Sequence, residues 1–535
     1  MSRGAAEGVS STSDRHFFIP MPDAWFKRLA DRVPKHTRVT FLSACVFGFL
    51  THMFVFTNKL PNHDDIGHLF SDTYGTASGR WLLPYVLQLD GDFSLPWLIG
   101  ALSIIALAVA ACTAVSALRI RSCTGCALTS AVMVTFPAVT ATFSYMFTSS
   151  AYFLALALAC LAALVTVRRR LGFIAGALLT ALSLGIYQSY ISAAASLMTG
   201  ALILQTLDGD KYKKLLISAL KYAAALGAGI AIYFVLVKIT SRSTGLVDYM
   251  GISDMGRLDV RALPSQLAEA YKSYFDFFLR NNIGAHFGFL RYMFALTGLA
   301  TIFLAVYALR VGKAGFLRAL LFFALAALYP LAANIIYVMG PSRVHILMVY
   351  GMCTLLLAPV ALIDYVAPAM RVQAGNFRHA LRALCCWIVS ACIALAAYSY
   401  CIYDNKAYLK LELAYEQSYA YSVRLISAVE RTEGYVPGMP VVLIGSAAAS
   451  AGPDPTPQLD EVDLTGILDM EALLTSYTYG YFLKYYVGYG GYVYPSMSDV
   501  SKRLEMKDEV KQMPVYPAPG SSAVVEKYLV IRLGG

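Results

Sequence analysis

The chain has 535 residues, of which 58% are hydrophobic and only 14% charged. Soluble globular proteins carry about a quarter charged residues, so a mean hydropathy of +0.58 excludes that class. The net charge of +10 sits in short loops between apolar runs, so it reports membrane orientation and gives no support to nucleic-acid binding.

In chain order, residues 1–37 form a polar cytoplasmic segment, Gly-, Ser- and Ala-rich at its start and expected to be disordered. Residues 38–402 hold about eleven apolar runs of roughly 20 residues, the length that crosses about 30 Å of hydrocarbon as a helix. They lie near Arg38–Thr57, Phe93–Leu118, Cys123–Ala141, Tyr145–Val167, Leu171–Tyr187, Tyr190–Leu207, Leu215–Lys238, Arg291–Arg310, Phe316–Tyr337, Val344–Ile363 and Ala383–Ile402. The two runs flanking Tyr187–Tyr190 are also readable as one long bent helix. Residues 403–535 form a tail. In it Lys406–Glu430 has helical spacing and stops at Gly434, while Pro440–Gly445 and Lys527–Arg532 are short apolar runs of buried-strand type. The expected fold is an all-α polytopic membrane protein with a small C-terminal α/β domain outside the cytoplasm.

Orientation follows from the basic loops. Lys27/Arg28/Arg32/Lys35, Arg119/Arg121, Arg168/Arg169/Arg170, Lys211/Lys213/Lys214, Arg310/Lys313/Arg318 and Arg371/Arg378/Arg382 all fall on one side, which the positive-inside rule makes cytoplasmic. The alternate loops are then external, and an odd number of spans puts Asn58–Asp92 and the tail on the same outer face. The tail, with 11 Lys and Arg against 16 Asp and Glu, is net acidic. The ten cysteines lie in or beside apolar runs and none lies in the tail, so the tail does not rest on disulfides. Cys123-Thr-Gly-Cys126 has metal-like spacing but no second pair nearby, and small residues at a helix start explain it better.

Chemistry concentrates in the external loops. Asp64 and Asp65 follow the first apolar run, and acids at a membrane boundary are costly enough to suggest a function; the plainer alternative is a solvated loop. His63 and His68 bracket them, so a divalent cation such as Mn²⁺ or Mg²⁺ could be held by His63, Asp64, Asp65 or His68. Farther along, Gly79-Arg80-Trp81 suits a turn presenting a guanidinium to a phosphate, or an interfacial anchor, the role favoured for Trp81. Phe143–Ser150, with Tyr145, opens one span. Tyr187-Gln188 turns between two others, where phenol and amide together suit a sugar pocket. Gly340–His345, with Arg343, opens a third. The loop Thr240–Leu290 has nearly balanced charges, read as solvated ion pairs. Eight tyrosines between Tyr477 and Tyr494 suit either sugar stacking or a bilayer surface.

The order Asp64-Asp65, Gly79-Arg80-Trp81, Phe143–Ser150, Ile186-Tyr187-Gln188 and Arg343 resembles the bacterial type II serotype-converting glucosyltransferases of the GT-C superfamily. The likeness covers roughly residues 38–402; where some members of that family carry an acid in the stretch opening a span, this chain has Thr148 and Ser149. The resemblance implies transfer of glucose or another hexose from a polyprenyl-phosphate sugar to an envelope glycan such as O-antigen, on the outer face of the bacterial inner membrane. It implies catalytic roles for Asp64 and Asp65, donor-phosphate binding by Arg80 and Arg343, and sugar or acceptor binding by Tyr187, Gln188, Tyr145 and His68. Asp64, nearer the end of the first span, is expected to be the more desolvated acid and the general base. A transporter or flippase would place charges near mid-membrane, where these spans have almost none, and a non-catalytic envelope assembly protein would act through its tail.

Overall fold

A computed structural model describes residues 21–70, 78–241, 261–339, 344–372, 377–446 and 455–533. Arg343, residues 71–77 of the first external loop, and residues 242–260 lie outside the described residues, as does the polar start of the N-terminal segment.

Every apolar run expected to span the membrane contains an α-helix, although residues 344–352 are coil and short 3-10 turns before the helix that starts at Cys353. The helices are α1 (Lys35–Thr57), α3 (Pro96–Ala117), α4 (Cys123–Thr135), α5 (Pro137–Phe143), α6 (Met146–Arg168), α7 (Gly172–Ile186), α8 (Ile191–Leu207), α9 (Tyr212–Thr240), α10 (Leu290–Val311), α11 (Phe316–Ala333), α12 (Cys353–Val372) and α13 (Phe377–Arg431), with the short α2 (His63–Gly67) between α1 and α3. Among the described residues nine helices are long and apolar enough to cross a membrane, or ten if the bent pair α4–α5 is one span. The bend of 44° falls at Pro137, whose ring forces Phe136 into extended backbone and restarts the helix. Helix α7 has 15 residues, about 22 Å at 1.5 Å each, too short to cross alone. It does not fuse with α8: Tyr187 breaks the chain in extended conformation between them. These helices make the chain a multi-pass membrane protein.

Two differences from the sequence reading stand out. The long loop after α9 contains an amphipathic helix, Leu263–Phe275, whose Lys272–Glu269 contact (3.3 Å) is a solvated ion pair of the expected kind. The boundary expected at Tyr403 falls inside α13, one helix of 55 residues that leaves the bundle and continues into the tail.

The bundle has two chemically distinct ends. At one, Arg119 pairs with Asp208, Arg168 donates to Ser116 O (2.6 Å), Arg318 donates to Asp210 O (3.1 Å), and Asp364 accepts from the Ser122 amide (2.8 Å). The basic loops thus gather at a single end and hold carbonyls and carboxylates of neighbouring helix termini. At the other end lie α2, the start of α6, the break at Tyr187 and the tail.

In the tail, β1 (Val441–Ile444), β2 (Val493–Tyr494), β3 (Ser522–Val525) and β4 (Tyr528–Arg532) form one sheet in the order β2-β1-β4-β3. β1 runs parallel to β2 and β4, and β3 pairs antiparallel with β4. One face of the sheet packs with the end of α13 and with α14 (Tyr479–Tyr485), and Ile66 of α2 is fully buried in that same cluster.

Candidate active site

Helix α2 forms because Asn62 caps it. The Asn62 side chain accepts from the amides of Asp64 (2.8 Å) and Asp65 (2.9 Å), and an Asp65 oxygen accepts from the Asn62 amide in return (3.4 Å). Two acids in the first turn also suit the helix dipole. With Ile66 locked into the tail, the helix cannot rotate, and that decides which way each acid faces.

Asp65 is fully buried and turns towards α6, where its oxygens accept from the amides of Met146 (3.3 Å) and Phe147 (3.1 Å). It therefore caps a second helix. Burial pushes its pKa up, opposed by the nearby Lys59 charge and by the amides it accepts from. Lys59, partly buried, donates to Ser94 Oγ (2.5 Å), and burial holds its pKa below the usual lysine range. Asp64 keeps 23% of its side chain exposed, with His63 Nε2 at 3.5 Å from Oδ1. The expectation that Asp64 is the more desolvated acid is thus corrected: nearness to the span end mattered less than the direction of one helical turn. His68 Nδ1 donates to the Asp64 carbonyl (2.8 Å) and its ring stacks on Phe147 at 4.7 Å, while Tyr145 lies edge-on to His63.

The cation reading does not fit these residues. Both oxygens of Asp65 are engaged by backbone amides, and among the described residues no three His, Cys, Asp or Glu side chains converge to hold a metal ion. Cys123 and Cys126 belong to the first turn of α4, capped by Ser122, and their thiols are free.

Arg80, in the loop before Leu83, reaches the same helix, α6, that Asp65 contacts. It is 9% exposed, its Nη1 donates to Tyr152 Oη (2.8 Å), and its guanidinium lies over the rings of Tyr152 (5.7 Å) and Tyr187 (5.4 Å). Those two rings stack on each other at 4.1 Å. Trp81, partly buried, packs its indole on Gly185, where an added Cβ would come within 2.6 Å of the ring. Gln188 is engaged by the same loop, its amide donating to Ser78 O (3.3 Å) and Tyr233 Oη (3.0 Å), while the Tyr187 hydroxyl is buried without a hydrogen-bond partner. Gln188 therefore fastens the arginine loop to the break between α7 and α8.

Two groups here went unnoticed in the sequence. Lys59 reads as an ordinary boundary lysine. Asp90, in Leu89-Asp90-Gly91, reads as a solvated turn, and Gly91 does take the left-handed conformation at φ +83°. Yet Asp90 is 2% exposed, accepts from Ser150 Oγ of α6 (2.6 Å), and burial, with Asp92 adding, pushes its pKa up to about 6. An acid thus stands beside the Phe143–Ser150 stretch after all, supplied by a loop. The tyrosine run, singled out in the sequence, packs partly into the tail core and partly against the first external loop. Tyr479 and Tyr489 are buried in the tail core, Tyr477 and Tyr481 close over Gly67, and Tyr485 meets Phe70 edge-on at 5.3 Å. The Tyr486 hydroxyl is buried, and the Asp65 charge helps raise its pKa.

No curated protein and no solved structure matches the chain. The model of the family described as glucosyl transferase GtrII matches residues 53–357, a stretch that runs from the last turns of α1 through Asp64, Asp65, Arg80, Tyr145 and Gln188 into α12. With more than half of its residues so matched, the chain belongs to the GtrII glucosyl transferase family.

Proposed function

We propose that the chain transfers glucose, or another hexose, from a polyprenyl-phosphate sugar to an envelope glycan at the outer face of the bacterial inner membrane. The observation that carries this reading is the convergence of the acid pair and the guanidinium on the first two turns of α6, Asp65 through Phe147 and Arg80 through Tyr152. A lipid-borne sugar phosphate presents its leaving group at the membrane boundary, so a transferase needs a cation and a base side by side there. The opposite end of the bundle, where the basic loops gather, is then cytoplasmic.

Asp64 is the base. It takes the proton of an acceptor hydroxyl as that oxygen bonds to the anomeric carbon; the carbon–phosphate oxygen bond breaks and its electrons leave with the polyprenyl phosphate. Direct in-line attack inverts the anomeric centre. Arg80, with Arg343 as its proposed companion, stabilises the charge developing on that phosphate, at a site where low exposure strengthens the interaction. Asp65 positions Asp64 by fixing α2 to α6, and Tyr187, Tyr145 and His68 contact the sugars.

Mass analysis of envelope glycans from cells with and without the gene tests the reading. A hexose missing from the deletion strain supports it; an unchanged glycan profile overturns it.

A further inference from the structure

Beyond the acid pair, the same end of the bundle holds a cavity of about 720 Å³. One wall is the turn Asn281–His286, the second is Val344–Ile346, and the third is the tail segment around Asp463–Leu468. We propose that this cavity binds the acceptor as a neutral, hydroxyl-rich glycan. The proposal rests on the hexosyltransferase reading above and assigns the tail a part in it.

The walls are built rigidly. Tyr403 of α13 donates its hydroxyl to Glu461 O (3.1 Å) and accepts from the Asp463 amide (3.0 Å). Thr465 Oγ1 accepts from the Ile346 amide (3.2 Å), and Thr465 O accepts from Ser144 (3.1 Å). Opposite, Gly284 at φ +71° sits against Pro137, where any Cβ would fall 2.2 Å from the ring. Such fastening holds a recognition surface in place before the ligand arrives.

The lining chemistry selects the ligand. Asn282 is 6% exposed, and its Nδ2 donates to Phe287 O (2.9 Å). Its Oδ1 is buried without a hydrogen-bond partner, an acceptor suited to a sugar hydroxyl. Asp463 and Glu461 add carboxylates, and no Lys or Arg is among the described residues that line the cavity. Lys406 is engaged with Glu461 (2.5 Å). With Glu461 paired to Lys406, Asp463 is left to disfavour an anion, and His286, His345, Asn281 and Thr465 complete a lining of hydrogen-bonding groups suited to hydroxyls. The volume lies within the roughly 300–1,000 Å³ of small-ligand sites.

Position completes the argument. Gly466, at φ +86°, lies so close to Tyr145 that a Cβ would approach its ring to 2.7 Å. Tyr145 in turn meets His63, the neighbour of Asp64, with ring centroids 6.3 Å apart. A glycan held in the cavity therefore extends past Tyr145 to bring one hydroxyl to Asp64.

The test uses the full-length protein in lipid nanodiscs, polyprenyl-phosphate glucose as donor, and envelope polysaccharide extracted from a strain lacking the gene. Two variants are compared. Asn282→Gly keeps a backbone already at φ +52° while removing the amide, and Asp463→Ala alters an exposed side chain with little risk to folding. Each is expected to raise the KM for polysaccharide by about tenfold or more, with the donor KM within about twofold of wild type. If Asn282→Gly fails to fold, Asp463→Ala decides alone. An unchanged polysaccharide KM, or a rise in donor KM instead, overturns the proposal. Asp64→Asn in the same assay separates the two readings: loss of transfer there leaves the hexosyltransferase reading standing whatever the cavity variants do.

Discussion

Asp65 accepts a hydrogen bond from the Phe147 amide at 3.1 Å, tying α2 to the first turn of α6 across 82 positions of sequence. The same carboxylate closes the capping box of its own helix, so one buried acid fixes two helix starts. Asp64, its neighbour, is left facing outward as a consequence. Asp65→Asn retains one acceptor oxygen but loses the charge, and should cost about 1–2 kcal/mol of stability. Thermal unfolding in detergent should show a lower Tm, with reduced transfer because Asp64 loses its fixed position. An unaltered Tm would mean that the two helices are held by packing alone.

Asp64→Asn should behave differently. Its side chain is partly exposed and caps nothing, so the variant should keep its Tm yet lose transfer by about a hundredfold or more. Near-normal transfer would return Asp64 to the role of a solvated loop residue.

For Arg80, charge and shape separate. Arg80→Lys keeps the charge but gives up both the planar fork and the contact with the Tyr152 and Tyr187 rings. Donor KM should rise by about tenfold or more, with a smaller effect on the polysaccharide KM. Donor kinetics equal to wild type would leave Arg80 as a packing residue for the tyrosine pair.

The Arg80 loop also depends on Gly185. A methyl group there meets the Trp81 indole at 2.6 Å and disturbs the Leu82 amide bond to the Gly185 carbonyl (2.9 Å). Gly185→Ala should cost about 1–3 kcal/mol and raise the donor KM, because the loop that carries the guanidinium must move. A variant with full stability and unchanged kinetics would show that the loop tolerates displacement.

Asp90 makes a pH prediction. Folding raises its pKa from 3.8 to about 6, so between those values the folded protein holds a proton that the unfolded chain has released. Stability attributable to this group is therefore greatest at low pH and declines as pH rises from about 4 to about 6. Asp90→Asn should flatten the change in Tm across that window relative to wild type. Identical pH profiles would assign the titration elsewhere.

The sequence by itself determined the helices, because apolar length and the placement of Lys and Arg are local properties that a bilayer reads directly. It also located the acid pair, Arg80 and the break at Tyr187, and the strand runs that form β1 and β4. The tertiary structure decided everything that depends on contact between distant segments. Which of two adjacent aspartates is buried follows from Ile66 lying in the tail core and from α6 starting beside Asp65. That Arg80 is buried between tyrosines follows from Gly185 admitting Trp81. That Asp90 is an elevated acid follows from its burial beside α6, with the Ser150 hydrogen bond opposing the rise. Periodicity cannot register such pairings, since each joins residues scores of positions apart and costs nothing locally to write into the sequence. Burial and long-range hydrogen bonding are properties of the packed chain, and they assigned these polar groups their surroundings.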